Sequence, residues 1–435
     1  MYKIITLIFL ILTLTKCSDN SPKAKIRRYI LYDVNPGEGF NLRRDVYMRM
    51  AIFIHNLSNK SEFDWHLVLP PWNKLWHWRN DLHASYQWNI FFDIPSLQLF
   101  APVIELEDFI SDYSKEIDEA YVLQHFPDFY SWTEGKEIDW SERWNYSECR
   151  NSHRNESDET FFFFDGRITT KHFRCISFHG TSGFLESVVS STNARAVMFD
   201  RAEIVTHMLY GDSDYWTCRR SMRFAKRLVE VASNYRAAHL NSSDVNDGTI
   251  RPVDFRDETP QRSAKGGPYL SVHLRRQEFK VGHPDAVPTI HETVQQIKKH
   301  LNDLGLNTVF VATDATEQEY IRIKSMLHAD NLFAIRFLDT IPNNKTFKDA
   351  ELAIIDQIIA SHAKYFVGTY ESTFTYRIQE EREILGFLPE TTFNRFCSTS
   401  IKENCVNPTK WLIEFPEDES RHSSHTINYR KSDEL

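Results

Sequence analysis

The chain of 435 residues lacks several features that would each indicate a class of protein. It has only six cysteines, and no two of them have the spacing of a zinc site. It lacks an excess of positive charge, since 60 acidic and 51 basic residues give a formal net charge of −9, which argues against a nucleic-acid partner. Beyond the N-terminal segment no apolar run is long enough to span a bilayer, and no internal repeat is visible.

Both ends of the chain resemble targeting signals. Lys3 and the apolar run 4–14 have the pattern of a signal peptide, which we expect at residues 1–17, with an uncleaved membrane anchor as the alternative. The last four residues, 432–435, are Ser-Asp-Glu-Leu, which differs from the tetrapeptide bound by the endoplasmic reticulum retrieval receptor by Ser432 in place of lysine. These signals predict a soluble protein of the endoplasmic reticulum lumen, and a chance acidic tail is the alternative.

Sequons and cysteines suit that oxidising compartment. We expect only some of the six sequons to carry glycan: Asn56, Asn59, Asn145, Asn155, Asn241 and Asn344. If Cys17 leaves with the signal peptide, five cysteines remain, so two disulfides and one free thiol are the simplest arrangement. We predict two local pairs: Cys149–Cys175 and Cys397–Cys405.

The order of predicted elements indicates an α/β protein. A strand at 29–34, a loop at 35–39, a helix from about 40 to 57 and a strand at 65–69 begin a doubly wound domain. The aromatic and acidic segment 72–174 is interpreted as an irregular insertion stapled by Cys149. A long helix is predicted at about 221–240, before a polar boundary.

The second half alternates strands and helices more regularly, which predicts parallel strands with right-handed crossovers. We therefore predict two Rossmann-like domains that face each other across a cleft, the GT-B architecture. The first spans 22–245, the second 246–425, and a tail follows at 426–435.

One candidate site is the loop Asn35-Pro36-Gly37-Glu38-Gly39, which leads from the first strand into the first helix. Such a loop exposes backbone N–H groups and a helix N-terminus to an anion. Glu38 lies between the two glycines, and a carboxylate there can take a proton from an attacking hydroxyl. The alternative, given equal weight, is that Glu38 only favours the helix start electrostatically.

A second candidate is His273-Leu274-Arg275-Arg276, at the end of a strand, where open α/β sheets bind ligands. Alternation places His273 and Arg275 on one face and Leu274 on the other. The paired arginines are forked donors that match a diphosphate, and a rigid guanidinium stabilises a departing diphosphate without a metal. A structural arginine in a salt bridge at the sheet edge is the alternative.

Residues 368–374 follow another strand and open a helix. Ser372 or Thr373 can cap this helix and present donors to a phosphate, and Phe374 can line a nucleotide site. Asp356, on the preceding helix, suits the N1–H and exocyclic amine of guanine. Taken alone, these residues are equally well a cap, a core aromatic and a solvated acid. The two domains together suggest a transferase that takes a sugar from a nucleotide.

Asp212-Ser213-Asp214 has the Asp-x-Asp form that metal-dependent glycosyltransferases use to hold a divalent cation. The arginines already neutralise a diphosphate, so we predict neither a metal site nor another cofactor.

Three stretches resemble the protein O-fucosyltransferase family, and within it the enzymes that act on thrombospondin type 1 repeats: residues 33–47, 271–276 and 380–386. The resemblance extends from about Arg28 to Trp411. It implies the GT-B fold, GDP-fucose as donor, and inverting, metal-independent transfer of fucose to a Ser or Thr hydroxyl of a folded repeat. It also implies a place in fucose metabolism and protein O-glycosylation.

By this resemblance Glu38 is the catalytic base, and Arg275 stabilises the departing β-phosphate. The resemblance implies that the remaining donor-site residues are Gly37, Gly39, Phe40, Asn41, His273, Leu274, Asp356, Ser372, Thr373 and Phe374.

Two other readings remain open. Sister enzymes that fucosylate epidermal-growth-factor-like repeats share the fold, the donor and the His-x-Arg arrangement. The glutamate in Pro36-Gly37-Glu38-Gly39 favours the thrombospondin-repeat enzymes, because a base at that position distinguishes them. A non-catalytic luminal quality-control protein that binds folded repeats would not need Glu38.

Overall fold

The computed structural model describes residues 25–75, 84–129, 139–150, 161–341, 346–392, 394–399, 405–408 and 410–416. The predicted signal peptide, the Ser-Asp-Glu-Leu tail and the sequons at Asn155 and Asn344 lie outside these ranges. Within them, no helix combines the length and the apolar character needed to cross a membrane.

The described residues of the first half form ten strands: β1 (Arg27–Tyr32), β2 (Asp64–Leu69), β3 (Trp72–Asn73), β4 (Ser85–Tyr86), β5 (Val103–Glu105), β6 (Glu116–Gln124), β7 (Arg143–Ser147), β8 (Phe161–Phe163), β9 (Ile168–His179) and β10 (Ala196–Asp200). Eight of them form a sheet in the order β5-β2-β1-β10-β6-β9-β7, with β8 beside β9. In this spatial order, each pair of neighbouring strands from β5 through β2, β1, β10 and β6 to β9 is parallel. Strands β7 and β8 run antiparallel to β9. Strands β3 and β4 pair separately.

The helices of this half are α1 (Phe40–Lys60), α2 (Ile94–Gln98), α3 (Leu106–Asp112), α4 (Leu185–Val189), α5 (Ser213–Ser221), α6 (Lys226–His239) and α7 (Asp244–Asp247). The predicted β-loop-α-β start is confirmed by β1, α1 and β2.

One prediction for the first half is wrong, and a second is right except for where the helix starts. The segment 72–174 is not simply irregular, because β5, β6 and most of β9 are parallel strands of the sheet. The helix predicted at about 221–240 is present as α6, but it starts at Lys226. The later start has a tertiary cause, since Phe224 forms a β-bridge with Phe92 and the two rings stack with centroids 5.9 Å apart.

The second half forms the predicted parallel α/β sheet. Its strands are β11 (Gly267–Leu274), β12 (Thr308–Thr313), β13 (Phe333–Ile335), β14 (Ala363–Gly368) and β15 (Asn394–Arg395), in the order β13-β12-β11-β14-β15. Its helices are α8 (Phe279–Gly282), α9 (Ile290–Leu304), α10 (Glu317–His328), α11 (Asp349–Ser361) and α12 (Thr373–Leu385). The α/β class is therefore confirmed in both halves.

The two sheets are joined through helices α1, α11 and α12. One buried hydrophobic cluster runs from β1 and α1 to α11 and to Ile378 of α12. Arg44 of α1 donates to Gln357 of α11 at 2.8 Å, and Asp45 accepts from Arg377 of α12 at 3.3 Å. Polar and apolar contacts thus hold the two halves together.

Both predicted disulfides are present, Cys149–Cys175 and Cys397–Cys405, and Cys218 is free and buried. Among the described sequons, three asparagines are exposed and Asn56 is half-buried; the exposed ones are Asn59, Asn145 and Asn241. Which of them carry glycan stays a prediction.

Candidate active site

The loop that carries Glu38 is held from three directions. The Glu38 N–H donates to the carbonyl of Asn35 at 2.9 Å, which closes a turn. The Asn35 N–H donates to the Glu203 carboxylate at 3.1 Å, and Arg43 Nε donates to the Glu38 carbonyl at 3.1 Å. The backbone is therefore fixed by α1 and by the turn after β10.

The side chain of Glu38 is available for chemistry. No hydrogen bond or ion pair to its carboxylate is found among the described residues, and the side chain is half-buried. Burial raises the pKa of Glu38, while the positive charges of Arg43, Arg201 and Arg49 oppose this shift. A raised pKa makes the ionised carboxylate a stronger proton acceptor.

The loop ends at the N-terminus of α1, where Gly39 occupies the N-cap position and has no side chain to cap the helix. The first N–H groups of α1 can therefore meet an anion. Gly37 is exposed, and the side chain of Phe40 is buried against Trp72 with ring centroids 4.9 Å apart. Any donor contact by Phe40 must therefore come from its backbone. The Asn41 side chain accepts from Gln357 at 3.0 Å, at the junction of the two halves.

His273, at the end of β11, is only 4% exposed. Its Nδ1 lies 2.8 Å from Thr375 Oγ1, and its ring stacks on Phe374 with centroids 4.4 Å apart. Burial, with a smaller effect of the Arg275 charge, lowers the pKa of His273 to about 3. The imidazole is therefore neutral at physiological pH. The Leu274 side chain is buried in the hydrophobic core of the second sheet.

The two arginines of this motif have different environments. Arg276 is buried and donates to the Pro288 carbonyl at 2.6 Å and to Glu319 at 3.3 Å, which are fold-stabilising contacts. Arg275 is partly exposed at the sheet edge, and its Nη1 donates to Asp314 at 2.6 Å. Of the two, Arg275 is the more exposed to a ligand.

In the loop between β14 and α12, the predicted capping of the helix by Ser372 is not found. Ser372 occupies the N-cap position, but its hydroxyl accepts no hydrogen bond from the described first turn of α12. The first N–H groups of α12 are thus also without a side-chain cap. Thr373 is exposed, and Phe374 is half-buried against His273.

Thr369, which sequence reasoning missed, joins this loop to β11. Its hydroxyl donates to the His273 carbonyl at 2.8 Å and accepts from the Arg275 N–H at 3.0 Å. Its own N–H donates to Thr375 Oγ1 at 3.2 Å. The sequence shows only a threonine directly after a predicted strand. Its role can be inferred only when the strand order, which places β14 next to β11, is known.

Asp356 lies on α11, and burial raises its pKa to about 8, against a smaller lowering by Arg336. Among the described residues, no hydrogen bond or ion pair to its carboxylate is found. By contrast, Asp212 caps α5 by accepting the Tyr215 N–H at 2.8 Å, which gives the Asp-x-Asp stretch a structural role.

The uncapped starts of α1 and α12 lie close to one contact between the two halves. Asp45 and Arg377 are in contact at 3.3 Å, one near the start of each helix. With a rise of 1.5 Å per residue, they lie about 7.5 and about 6 Å from the respective helix starts. The Glu38 loop and the loop before α12 therefore flank the same junction.

Comparisons with known proteins agree with this architecture. Residues 29–385 match the family described as GDP-fucose protein O-fucosyltransferase. The chain is 43% identical over 405 residues to "GDP-fucose protein O-fucosyltransferase 2" of Homo sapiens, covering 91% of this chain and 92% of that protein. Its likeness to the protein of the same name from Caenorhabditis elegans is 41% over 397 residues, covering 89% and 90%.

Among solved structures, POFUT1 in complex with GDP-fucose shares the fold, with a TM-score of 0.56 at 15% identity, covering 86% of this chain and 99% of that one. The predicted GT-B arrangement is confirmed at the level of the fold. The identity to the curated relatives and the extent of the family match lead to one conclusion: the chain belongs to the GDP-fucose protein O-fucosyltransferase family and is a glycosyltransferase.

Proposed function

We propose that this chain transfers fucose from GDP-fucose to a Ser or Thr hydroxyl of folded thrombospondin type 1 repeats in the endoplasmic reticulum lumen. The observation that carries the proposal is the carboxylate of Glu38, which has a raised pKa and accepts no hydrogen bond among the described residues. A carboxylate in this state can take the proton of an acceptor hydroxyl.

In the proposed reaction the acceptor oxygen attacks the anomeric carbon of fucose as Glu38 takes its proton. The new C–O bond forms on the face opposite the breaking bond to the β-phosphate, so the configuration at the anomeric carbon inverts. GDP leaves with the electron pair of the broken bond, and Arg275 and the uncapped N–H groups of α12 stabilise its charge. This charge stabilisation needs no metal ion.

Three groups are proposed to orient the donor. Asp356 accepts from the N1–H and exocyclic amine of guanine, which suits a carboxylate without another described partner. The neutral His273, held by Thr375 and Phe374, supports the strand end beside Arg275. The N–H groups at the start of α1 face the sugar end of the donor, next to Glu38.

The proposals for the acceptor and for the cellular compartment rest on the sequence. The curated relatives named above carry the same family name, and the Glu38 motif resembles that of the thrombospondin-repeat enzymes. The N-terminal apolar segment and the Ser-Asp-Glu-Leu end favour luminal retention by the retrieval receptor. The two disulfides suit an oxidising lumen.

The test offers the purified protein GDP-fucose with two folded acceptors, a thrombospondin type 1 repeat and an epidermal-growth-factor-like repeat, with and without a chelator. Intact mass reports the addition of one deoxyhexose. We expect transfer only to the thrombospondin repeat, and the same extent of transfer with the chelator present. Transfer to the other repeat would instead assign the sister activity. Tight binding of a repeat without transfer would indicate a quality-control protein.

A further inference from the structure

Asp314 directly follows β12, the strand next to β11, and both of its carboxylate oxygens are engaged by the Arg275-Arg276 motif. Oδ2 accepts from Arg275 Nη1 at 2.6 Å, and Oδ1 accepts from the Arg276 N–H at 2.6 Å. The Asp314 carbonyl also accepts from the Gln277 side chain. One residue thus contacts the side chain of Arg275 and the backbone that follows it.

Neighbouring strands hold Arg275 from both sides. On the β14 side, Thr369 Oγ1 accepts the Arg275 N–H at 3.0 Å. On the β12 side, Thr313 Oγ1 donates to the Leu274 carbonyl at 2.7 Å, and Asp314 binds the guanidinium. The other carboxylate near Arg275, Glu278, is 3.6 Å away and about half exposed, so it constrains the guanidinium less.

A free arginine side chain samples many rotamers, and binding a ligand with it costs conformational entropy. A guanidinium that is already held by a short, charge-assisted hydrogen bond avoids much of that cost. The bond from Nη1 to Asp314 leaves other N–H groups of the guanidinium available for a second anion.

We propose that Asp314 is a positioning residue, whose carboxylate holds the guanidinium of Arg275 where the diphosphate of the nucleotide donor binds. This inference rests on the proposed donor role of Arg275. The opposite role is that Asp314 occupies the place of the diphosphate and must be displaced, which would make it a competitor of the donor.

The test measures the affinities of GDP and GMP by calorimetry for the wild type, Asp314→Asn and Glu319→Gln. GMP lacks the β-phosphate, so only GDP affinity should depend on the placement of Arg275. We expect Asp314→Asn to weaken GDP binding about tenfold, in line with the loss of a hydrogen bond to a charged group, and to leave GMP binding unchanged. Glu319→Gln is the matched control, because Glu319 pairs with the neighbouring, buried Arg276, and it should keep the GDP preference.

A second comparison separates the effect of Asp314 on Arg275 from a general loss of protein stability. In an Arg275→Ala background, Asp314→Asn should cause no further loss of GDP affinity, because its effect acts through the guanidinium. An unchanged GDP preference in Asp314→Asn, or tighter GDP binding, would overturn the positioning role while leaving the proposed function intact. Equal affinity of the wild type for GDP and GMP would overturn the donor role of Arg275 and this inference with it.

Discussion

Arg219 of α5 donates from Nε to Glu380 of α12 at 2.6 Å, and both side chains are at most 1% exposed. This ion pair joins a helix that follows the first sheet to a helix of the second. Glu380 also accepts from Arg377 at 2.9 Å and from the Tyr215 hydroxyl. Its charge is therefore compensated by several donors in an environment without solvent.

Removal of Arg219 should leave the buried charge of Glu380 with fewer donors, and Glu381 loses its bond from Arg219 as well. We expect Arg219→Ala to lower the free energy of unfolding by about 3–5 kcal/mol, measured by urea denaturation. The matched control is Arg27→Ala, because Arg27 pairs with Asp64 where both side chains are more than 40% exposed. That change should cost at most about 1 kcal/mol. Similar losses for the two variants would contradict the account.

Arg275→Lys tests whether charge alone suffices at the donor site. Lysine keeps the positive charge but lacks the fork that lets one edge bind Asp314 while another binds a phosphate. We expect the rate of fucose transfer to fall by about 10²–10³, with a thermal unfolding midpoint close to that of the wild type. Transfer near the wild-type rate would exclude the role assigned to the guanidinium.

The raised pKa of Asp356 predicts that nucleotide binding is coupled to the release of a proton. Because burial raises its pKa to about 8, the carboxyl group is mostly protonated at pH 7 in the free protein. The N–H donors of guanine favour the ionised form, so binding of GDP should release a proton and tighten as the pH rises from about 6 to about 8. Calorimetry in buffers of different ionisation enthalpy measures this release. Asp356→Asn should abolish it, and an equal release in that variant would refute the assignment.

The disulfide between Cys149 and Cys175 closes a loop with a sequence separation of 26. Replacing both cysteines by serine should lower the free energy of unfolding by roughly 2–4 kcal/mol, because the unfolded chain regains freedom. Urea denaturation checks this value. Cys218→Ala, which removes a buried thiol that is not in a disulfide, serves as the control and should cost less.

Four strands of the second sheet were predictable because they are largely apolar segments alternating with helices, whereas β15 is the polar dipeptide Asn394-Arg395 and was not predicted. Strand β6 was not, because Asp118 and Glu119 interrupt its apolar residues. The structure satisfies Asp118 through Lys171, which is a tertiary contact, and through the hydroxyl of the nearby Tyr113. The start of α6 at Lys226 likewise depends on the pairing of Phe224 with Phe92.

At the candidate site, Glu38 and Arg275 could be proposed from the sequence because each lies in a distinctive short motif at an element boundary. Asp314 and Thr369 were not, since their roles depend on β12 and β14 being the two neighbours of β11. The different environments of Arg275 and Arg276 depend on the elements that surround the end of β11, which only the three-dimensional packing defines.

The central claim is that Glu38 is the base, and Glu38→Gln tests it most directly. Glutamine keeps the size of the side chain and does not alter the backbone contacts of the loop, but it cannot take a proton. We expect GDP affinity within about twofold of the wild type and fucose transfer to the thrombospondin repeat reduced by at least about 10². Transfer by Glu38→Gln at a rate near that of the wild type, with GDP bound equally well, would contradict the account.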